Sequence, residues 1–325
     1  ILNFMKRQKR DPASINPRFA KPEATKRVNF TLRTLNRLFY GWRFGLLDET
    51  HLEKLLSGYP RKTHRELELT RAGLIYHPDV QIPLRAVCSG IDWITALTTK
   101  GADVLASKGY RIDPTLHRER YRRHRSFNAI LHDLNRSDFL VELATAIRAV
   151  GKLSGLTMRH QDELLGKPYT ETISFPSLAV WKREHRPITI EPDGYFSILL
   201  PNLPSDRAEK FFALEVDQDT ESNIRWANFW EQKSILKTMI AYGEAHKRGI
   251  IEEKLGLSNL RTIFVTTTER HIANILKDAG QHYIAQGYPA NACLFVSREK
   301  LETFDPLSVE YKNAAGQPVV LSEWV

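Results

Sequence analysis

The sequence contains few cysteines, no long apolar run and none of the common short nucleotide or zinc motifs. Its 325 residues include two cysteines, Cys88 and Cys293, which cannot build a disulfide framework and fit a reducing compartment. No run of about 18 uncharged apolar residues occurs, which argues against a membrane-spanning helix. The chain also lacks a Gly-Lys-Ser/Thr phosphate loop, HExxH, paired CxxC and a Gly-x-Ser-x-Gly elbow, which argues against P-loop, zinc and α/β-hydrolase chemistry.

The composition otherwise describes an ordinary folded protein, with 42% hydrophobic and 10% aromatic residues, enough for a core. The length suits one large domain or two ordinary ones. The first residues are basic but lack the apolar stretch and the cleavage site of a signal peptide, so we expect a cytoplasmic location.

Acidic residues are scarce in the first third of the chain. Residues 1–125 hold 25 Lys and Arg against 12 Asp and Glu, whereas the remainder holds 22 against 26. A basic N-terminal third joined to a near-neutral remainder of the chain predicts a module that binds a polyanion. Nucleic acid is favoured over a membrane surface, because no strongly amphipathic basic helix with an aromatic face is present. Residues 1–28 are expected to form a flexible basic arm.

Residues 29–112 show the order helix, helix, helix, strand, strand, helix, which predicts a winged helix-turn-helix domain. The segments "ELELTRAGLIYH" and "WITALTTKGADVLASKGY" resemble the recognition helix and wing of bacterial DNA-binding domains. In that layout Lys62, His64 and Arg65 lie on the first turns of the third helix, where they reach bases or phosphates. Ordinary surface charge and a protein-binding role for the domain stay open as alternatives.

A basic linker is predicted at residues 113–130. It is either a solvated helix face or a segment that follows DNA phosphates. Its candidate DNA contacts are Arg118, Arg120, Arg122 and Arg123.

The second half, residues 131–325, is predicted to be a mixed α/β domain. Its expected elements, in order, are a helix over 136–150, a tight hairpin with its turn at Asp193-Gly194, a strand in "EKFFALEVDQDT", a long helix over 226–246, and a strand over 262–266.

Three acids are expected to meet in this domain. Glu215 and Asp217 are two residues apart and so face one side of their strand, and Asp193 can approach them from the neighbouring strand. Convergent carboxylates suit Mg²⁺ or Mn²⁺ and the chemistry of phosphodiester cleavage. Each acid also has a plainer interpretation, as a surface ion-pair partner, a loop residue or a turn former.

A lysine is the expected cationic partner of these acids. Lys233 falls inside the apolar arc of the predicted helix, where it either extends its stem to solvent or reaches the carboxylates. Gln232 and Lys237 are neighbouring candidates for the same task. Tyr195 and Tyr242 are conceivable covalent nucleophiles, although nothing in their sequence context separates them from core aromatics.

The segment "IEPDGYFSI…FFALEVDQDTES…WEQKSILKTMIAY", together with "ILHDLNRSDFLVEL" upstream, resembles replication-relaxation proteins of plasmids and other mobile elements. The resemblance covers roughly residues 30–245. Some members are C-class mobilisation relaxases, whose catalytic domain is similar to PD-(D/E)xK restriction endonucleases. The resemblance therefore implies a restriction-endonuclease-like αβββαβ domain in a bacterial cytoplasmic protein that nicks double-stranded DNA at an origin with a divalent ion.

The same resemblance implies roles for individual residues. Asp193 matches the motif aspartate, Glu215 matches the metal-binding acid, and Asp217 stands where endonucleases carry lysine, so that Lys233 would replace that lysine. Glu142 matches the acid of the first helix, and His132 matches the histidine that opens the helix signature.

Whether the chain is an enzyme stays open at this point. A metal-dependent endodeoxyribonuclease, a non-catalytic replication or transcription regulator, and a DNA-binding subunit with protein partners of a mobile-element complex are the three alternatives.

Overall fold

The computed structural model describes residues 28–56, 64–78, 93–116, 127–182, 184–204, 208–218, 222–224 and 230–324. The chain divides into two compact units, with the boundary between Phe127 and Asn128. Among the described helices, none combines the length and the apolar character that crossing a membrane requires.

The first unit contains helices around a small antiparallel sheet of strand order β1-β3-β2. Its elements are α1 (Leu32–Phe44), β1 (Leu46–Leu47), α2 (Glu49–Leu56), α3 (His64–Arg71), β2 (Ile75–Tyr76), β3 (Thr95–Leu97) and α4 (Thr99–Ser107). The predicted helices and strands are present, and β1 was not predicted because two residues carry no periodicity. Local caps explain the helix starts: Thr31 and Thr98 accept hydrogen bonds from the backbone N–H three residues later.

A buried ion pair fastens α3 to the rest of this unit. Arg37 of α1 donates from Nε and Nη2 to the two carboxylate oxygens of Glu66 on α3, at 2.8 and 3.0 Å. The same guanidinium also donates to the hydroxyl of Thr95 on β3. Arg37 is 1% exposed, and Leu69 of α3 lies in the apolar cluster beside it.

The second unit is built on a seven-stranded mixed sheet of order β12-β11-β10-β9-β8-β7-β4 and a separate β5–β6 hairpin. Its strands are β4 (Thr157–His160), β5 (Phe175–Trp181), β6 (Glu184–Ile190), β7 (Gly194–Leu199), β8 (Glu209–Val216), β9 (Arg261–Thr266), β10 (Cys293–Ser297), β11 (Glu310–Asn313) and β12 (Pro318–Val320). Strands β8, β9 and β10 are parallel, and the other pairs of the large sheet are antiparallel.

Helices cover both faces of this sheet. They are α5 (Phe127–Ser154), α6 (Gln161–Leu165), α7 (Ile235–Lys247), α8 (Ile250–Leu255), α9 (Glu269–Ile275), α10 (Gln281–Ala285) and α11 (Arg298–Leu301). On one face, α7 and α9 pack with Phe264 and Phe295 in a single apolar cluster. On the other, Phe139 of α5 lies 6.2 Å from the ring of Phe196, which stacks on Phe212.

One predicted hairpin and the predicted starts of two helices in this unit were wrong. The predicted hairpin at Asp193-Gly194 does not form, because β6 pairs with β5 while β7 pairs with β4 and β8. The helix expected over 136–150 begins earlier, at Phe127. Its buried residues lie on several sides of the helix, so the hydrophobic periodicity does not mark where it starts. The helix expected over 226–246 begins at Ile235, where Ser234 caps it by accepting from the N–H of Lys237.

Candidate functional site

Asp193 is held directly against the carboxyl end of β8. Its backbone N–H donates to the carbonyl of Leu214 at 2.9 Å, and its Oδ2 accepts from the N–H of Val216 at 2.7 Å. Val216 lies between Glu215 and Asp217, so the carboxylate of Asp193 contacts the backbone of β8 between these two acids.

His132 provides a cation beside Asp193. It lies inside α5, more than one turn from the helix start, with Nε2 3.2 Å from Oδ2 of Asp193 and Nδ1 3.5 Å from Oδ1 of Asp133. Burial favours the neutral ring, but the hydrogen bonds and negative charges of the two aspartates outweigh it and raise the pKa of His132 to about 10. The imidazole is therefore positively charged at neutral pH.

Glu215 is a buried acid on β8, 6% exposed, and its Oε1 accepts a hydrogen bond from the hydroxyl of Tyr242 at 2.7 Å. Burial, and then the charge of Glu215, raise the pKa of Tyr242 and of Tyr195 well above their usual value. The Tyr195 hydroxyl also donates to the carbonyl of Ile173 at 3.1 Å. Both phenols are thus protonated and engaged, which makes them poor nucleophiles.

Asp217 follows the end of β8 and contacts a residue that the sequence did not single out. Its Oδ2 lies 2.7 Å from Nε2 of His271, on the first turn of α9. The contact follows from the topology: α9 follows β9, which is parallel to β8, so the first turn of α9 lies at the same sheet edge as Asp217. No local pattern in the sequence gives this pairing. This contact occupies one oxygen of the Asp217 carboxylate.

The three acids thus lie near one end of β8, each with a different partner. Among the described residues of the second unit, no three Asp, Glu, His or Cys side chains offer ligand atoms that all lie within 4.8 Å of one another. The donor chemistry, carboxylate oxygens with two of the acids buried, is that preferred by Mg²⁺ and Mn²⁺.

A cavity of about 280 Å³ brings Glu215 and Lys233 together. Its wall is formed by β6 and by the start of α7, and its lining residues are Ile188, Thr189, Ile190, Glu191, Glu215, Lys233, Lys237, Thr238 and Ala241. Lys233 is exposed and precedes α7, so its predicted place in an apolar helix arc was wrong.

Lys237 holds the turn that carries Lys233. Its Nζ donates to the carbonyls of Trp230 at 2.8 Å and Gln232 at 3.5 Å, and burial lowers its pKa. The predicted accessory residue Gln232 therefore contributes a backbone carbonyl here, and its own side chain is exposed.

The other predicted residues lie apart from this cavity or outside the described chain. Glu142 is half-buried on α5, ten residues after His132, which places it about 15 Å away along the helix axis. The predicted DNA contacts Lys62, Arg118, Arg120, Arg122 and Arg123 lie outside the described residues, as do the side chains of His64 and Arg65 in α3.

Comparison with protein families adds one finding to this geometry. A model of the family described as Replication-relaxation matches residues 49–234, more than half of the chain. The chain belongs to the replication-relaxation family. This membership indicates a role in replication and in the biology of mobile elements.

The match to the replication-relaxation family runs from α2 to the residue before α7 and includes Asp193, Glu215, Asp217 and Lys233. No curated protein and no solved structure matches this replication-relaxation protein.

Proposed function

We propose that this replication-relaxation protein binds double-stranded DNA at an origin-like site of a plasmid or other mobile element and nicks one strand with the help of Mg²⁺ or Mn²⁺. The observation that carries the proposal is the cavity shared by Glu215 and Lys233, an acid and a cation of the types that phosphodiester cleavage needs. Asp193, bound to the backbone between Glu215 and Asp217, adds a second acid at the same strand end.

The strand order supports a PD-(D/E)xK-like domain. Helix α5, the antiparallel strands β4, β7 and β8, helix α7 and then β9 parallel to β8 follow the expected αβββαβ order, with β5–β6 as an insertion. Asp193 immediately precedes the second core strand, β7, and Glu215 lies near the end of the third, β8, as the resemblance implies.

Each side chain has a defined part in this proposal. Glu215 and one neighbouring acid, Asp193 or Asp217, would hold the divalent ion, since the three acids offer no common set of ligand atoms within 4.8 Å of one another. When bound, the ion supplies Lewis-acid stabilisation and an activated water. Lys233 places positive charge on the phosphate oxygens. The protonated state of Tyr195 and Tyr242 favours attack by water over attack by either phenol.

The first unit supplies DNA binding in this proposal. Its excess of Lys and Arg provides the electrostatic attraction, and α3, fastened by Arg37, is the element that would enter the major groove of a winged-helix complex.

A nicking assay on supercoiled plasmid tests the proposal. Glu215→Gln and Lys233→Met should each lower the Mg²⁺- or Mn²⁺-dependent nicking rate by about 100-fold, the typical effect of removing one transition-state contact. Glu252→Gln and Lys277→Met, exposed residues of the same unit, are the matched controls and should leave the rate unchanged. Nicking by Glu215→Gln at the wild-type rate would contradict the proposal.

The contact between Asp217 and His271 favours one second candidate, a DNA-binding regulator or subunit without catalysis. An aspartate at the lysine position cannot place positive charge on a phosphate, and this one is already engaged. That candidate predicts salt-sensitive DNA binding without nicking under any divalent ion.

A further inference from the structure

A second polar cavity lies at the opposite end of the sheet from the carboxylates. Its volume is about 270 Å³, and its walls come from the start of β8, the end of α7 and the loops that precede β9 and β10. Lys210 and Glu215 are five residues apart on β8, so the two sites are separated by roughly 17 Å at 3.3 Å per residue. The cavity is therefore distinct from the proposed catalytic site.

Basic side chains from three different elements meet in this cavity. They are Lys210 of β8, His246 of the last turn of α7 and Arg261, the first residue of β9. Burial lowers the pKa of the Arg261 guanidinium, which is the direction expected for a charge that has lost part of its water.

Among the described residues that line the cavity, the acidic one is Glu209, and its charge is balanced by an arginine that does not line the cavity. Both oxygens of Glu209 lie within reach of Nη1 of Arg159, at 2.9 and 3.1 Å, and Oε1 also accepts from the hydroxyl of Ser197. Arg159 therefore balances the charge of Glu209, and the same lining carries the basic residues Lys210 and Arg261.

Neutral hydrogen-bond donors complete the lining. The Asn291 side chain lines the cavity, and its Oδ1 accepts from Nδ2 of Asn313 at 2.7 Å, which leaves the amino group of Asn291 to donate. Ser258 and Asn259 line the same wall, and Asn259 has a left-handed backbone with φ of 52°, which turns the chain into β9.

We propose that this cavity binds a phosphate group. A lysine, an arginine and donor amides around a small polar space are the groups that recognise phosphate oxygens. The volume lies just below the range of pockets that hold drug-sized ligands, so it suits a small anionic group. The phosphate would come either from the DNA backbone, as a diester, or from a free phosphate.

Calorimetric titration of the full chain with two probes tests the proposal and separates the two sources. Inorganic phosphate represents the free anion, and a thymidine dinucleotide with one internal diester and no terminal phosphate represents the backbone. Lys210→Gln and Arg261→Gln should each weaken binding of the recognised probe about tenfold or more, the loss expected for one charge-assisted hydrogen bond. Lys277→Gln, an exposed lysine elsewhere in the unit, is the control and should bind like wild type.

Either probe can support the inference, because weakened binding of phosphate or of the dinucleotide by the cavity variants identifies the source. Equal binding of both probes by wild type, Lys210→Gln and Arg261→Gln would overturn it, as would the absence of binding by wild type. Arg261 is half-buried, so circular dichroism must first show that the Arg261→Gln variant is folded. If that variant is unfolded, the binding measured for Lys210→Gln decides the outcome. Because Lys210 and Arg261 do not line the cavity that holds Glu215 and Lys233, this inference can fail or survive independently of the nicking proposal.

Discussion

Breaking the ion pair between Arg37 and Glu66 should destabilise the first unit strongly. In Arg37→Met, the carboxylate of Glu66, 7% exposed, loses both of its guanidinium hydrogen bonds and stays in the core. Removing one partner of a buried pair costs about 3–5 kcal/mol. For a unit of roughly 100 residues, this lowers the melting temperature by at least about 12 °C.

Calorimetry of the full chain measures this loss, and hydrogen exchange over His64–Arg71 shows whether it falls on α3. The double variant Arg37→Met/Glu66→Met should recover most of the stability, because it removes the charge that the single variant leaves unpaired. Arg33→Met, at an exposed position on the same helix, should change the unfolding free energy by less than about 0.5 kcal/mol.

Two results would refute this reasoning. If the double variant were as unstable as Arg37→Met, the loss would come from packing and not from an uncompensated charge. If Arg33→Met were as destabilising as Arg37→Met, burial of the pair would have no special effect.

Two further predictions concern the second unit. Burial raises the pKa of the Cys293 thiol to about 12, so iodoacetamide should label Cys293 only after denaturation, as peptide mass mapping can show. Burial favours the neutral form of Glu244, but hydrogen bonds from Tyr288 and Arg248 lower its pKa below 4.5. The resulting stability is present above pH 4.5 and is lost as the pH falls through the lowered pKa, so acid denaturation should be less steep in Glu244→Gln than in wild type.

Local signals in the sequence predicted local structure well. The hydroxyls of Thr31 and Thr98 cap helices that begin where the apolar periodicity places them, because a cap needs only the next three residues. The strands around Glu215 and over 262–266 also lie where their apolar runs placed them. These features depend on neighbours in the chain, which the sequence displays directly.

Strand pairing could not be predicted in the same way. Asp193-Gly194 has the composition of a hairpin turn, yet the preceding strand β6 pairs with β5. The resemblance implied three strands after the first helix, and three antiparallel strands are present, but the first of them is β4, in a segment where no strand was predicted. Pairing is chosen by which apolar faces can be buried together, and this is a property of the whole sheet.

The sequence by itself determined the charge asymmetry, the mixed α/β class, the acids of the candidate site and the resemblance to the replication-relaxation family. Only the tertiary structure decided which side chains meet: His132 with Asp193, His271 with Asp217, and Lys233 with Glu215 in one cavity. The physical reason is that each of these meetings joins residues 18 to 61 positions apart. Contacts at such separations arise from the packing of helices on a sheet, which local periodicity does not encode.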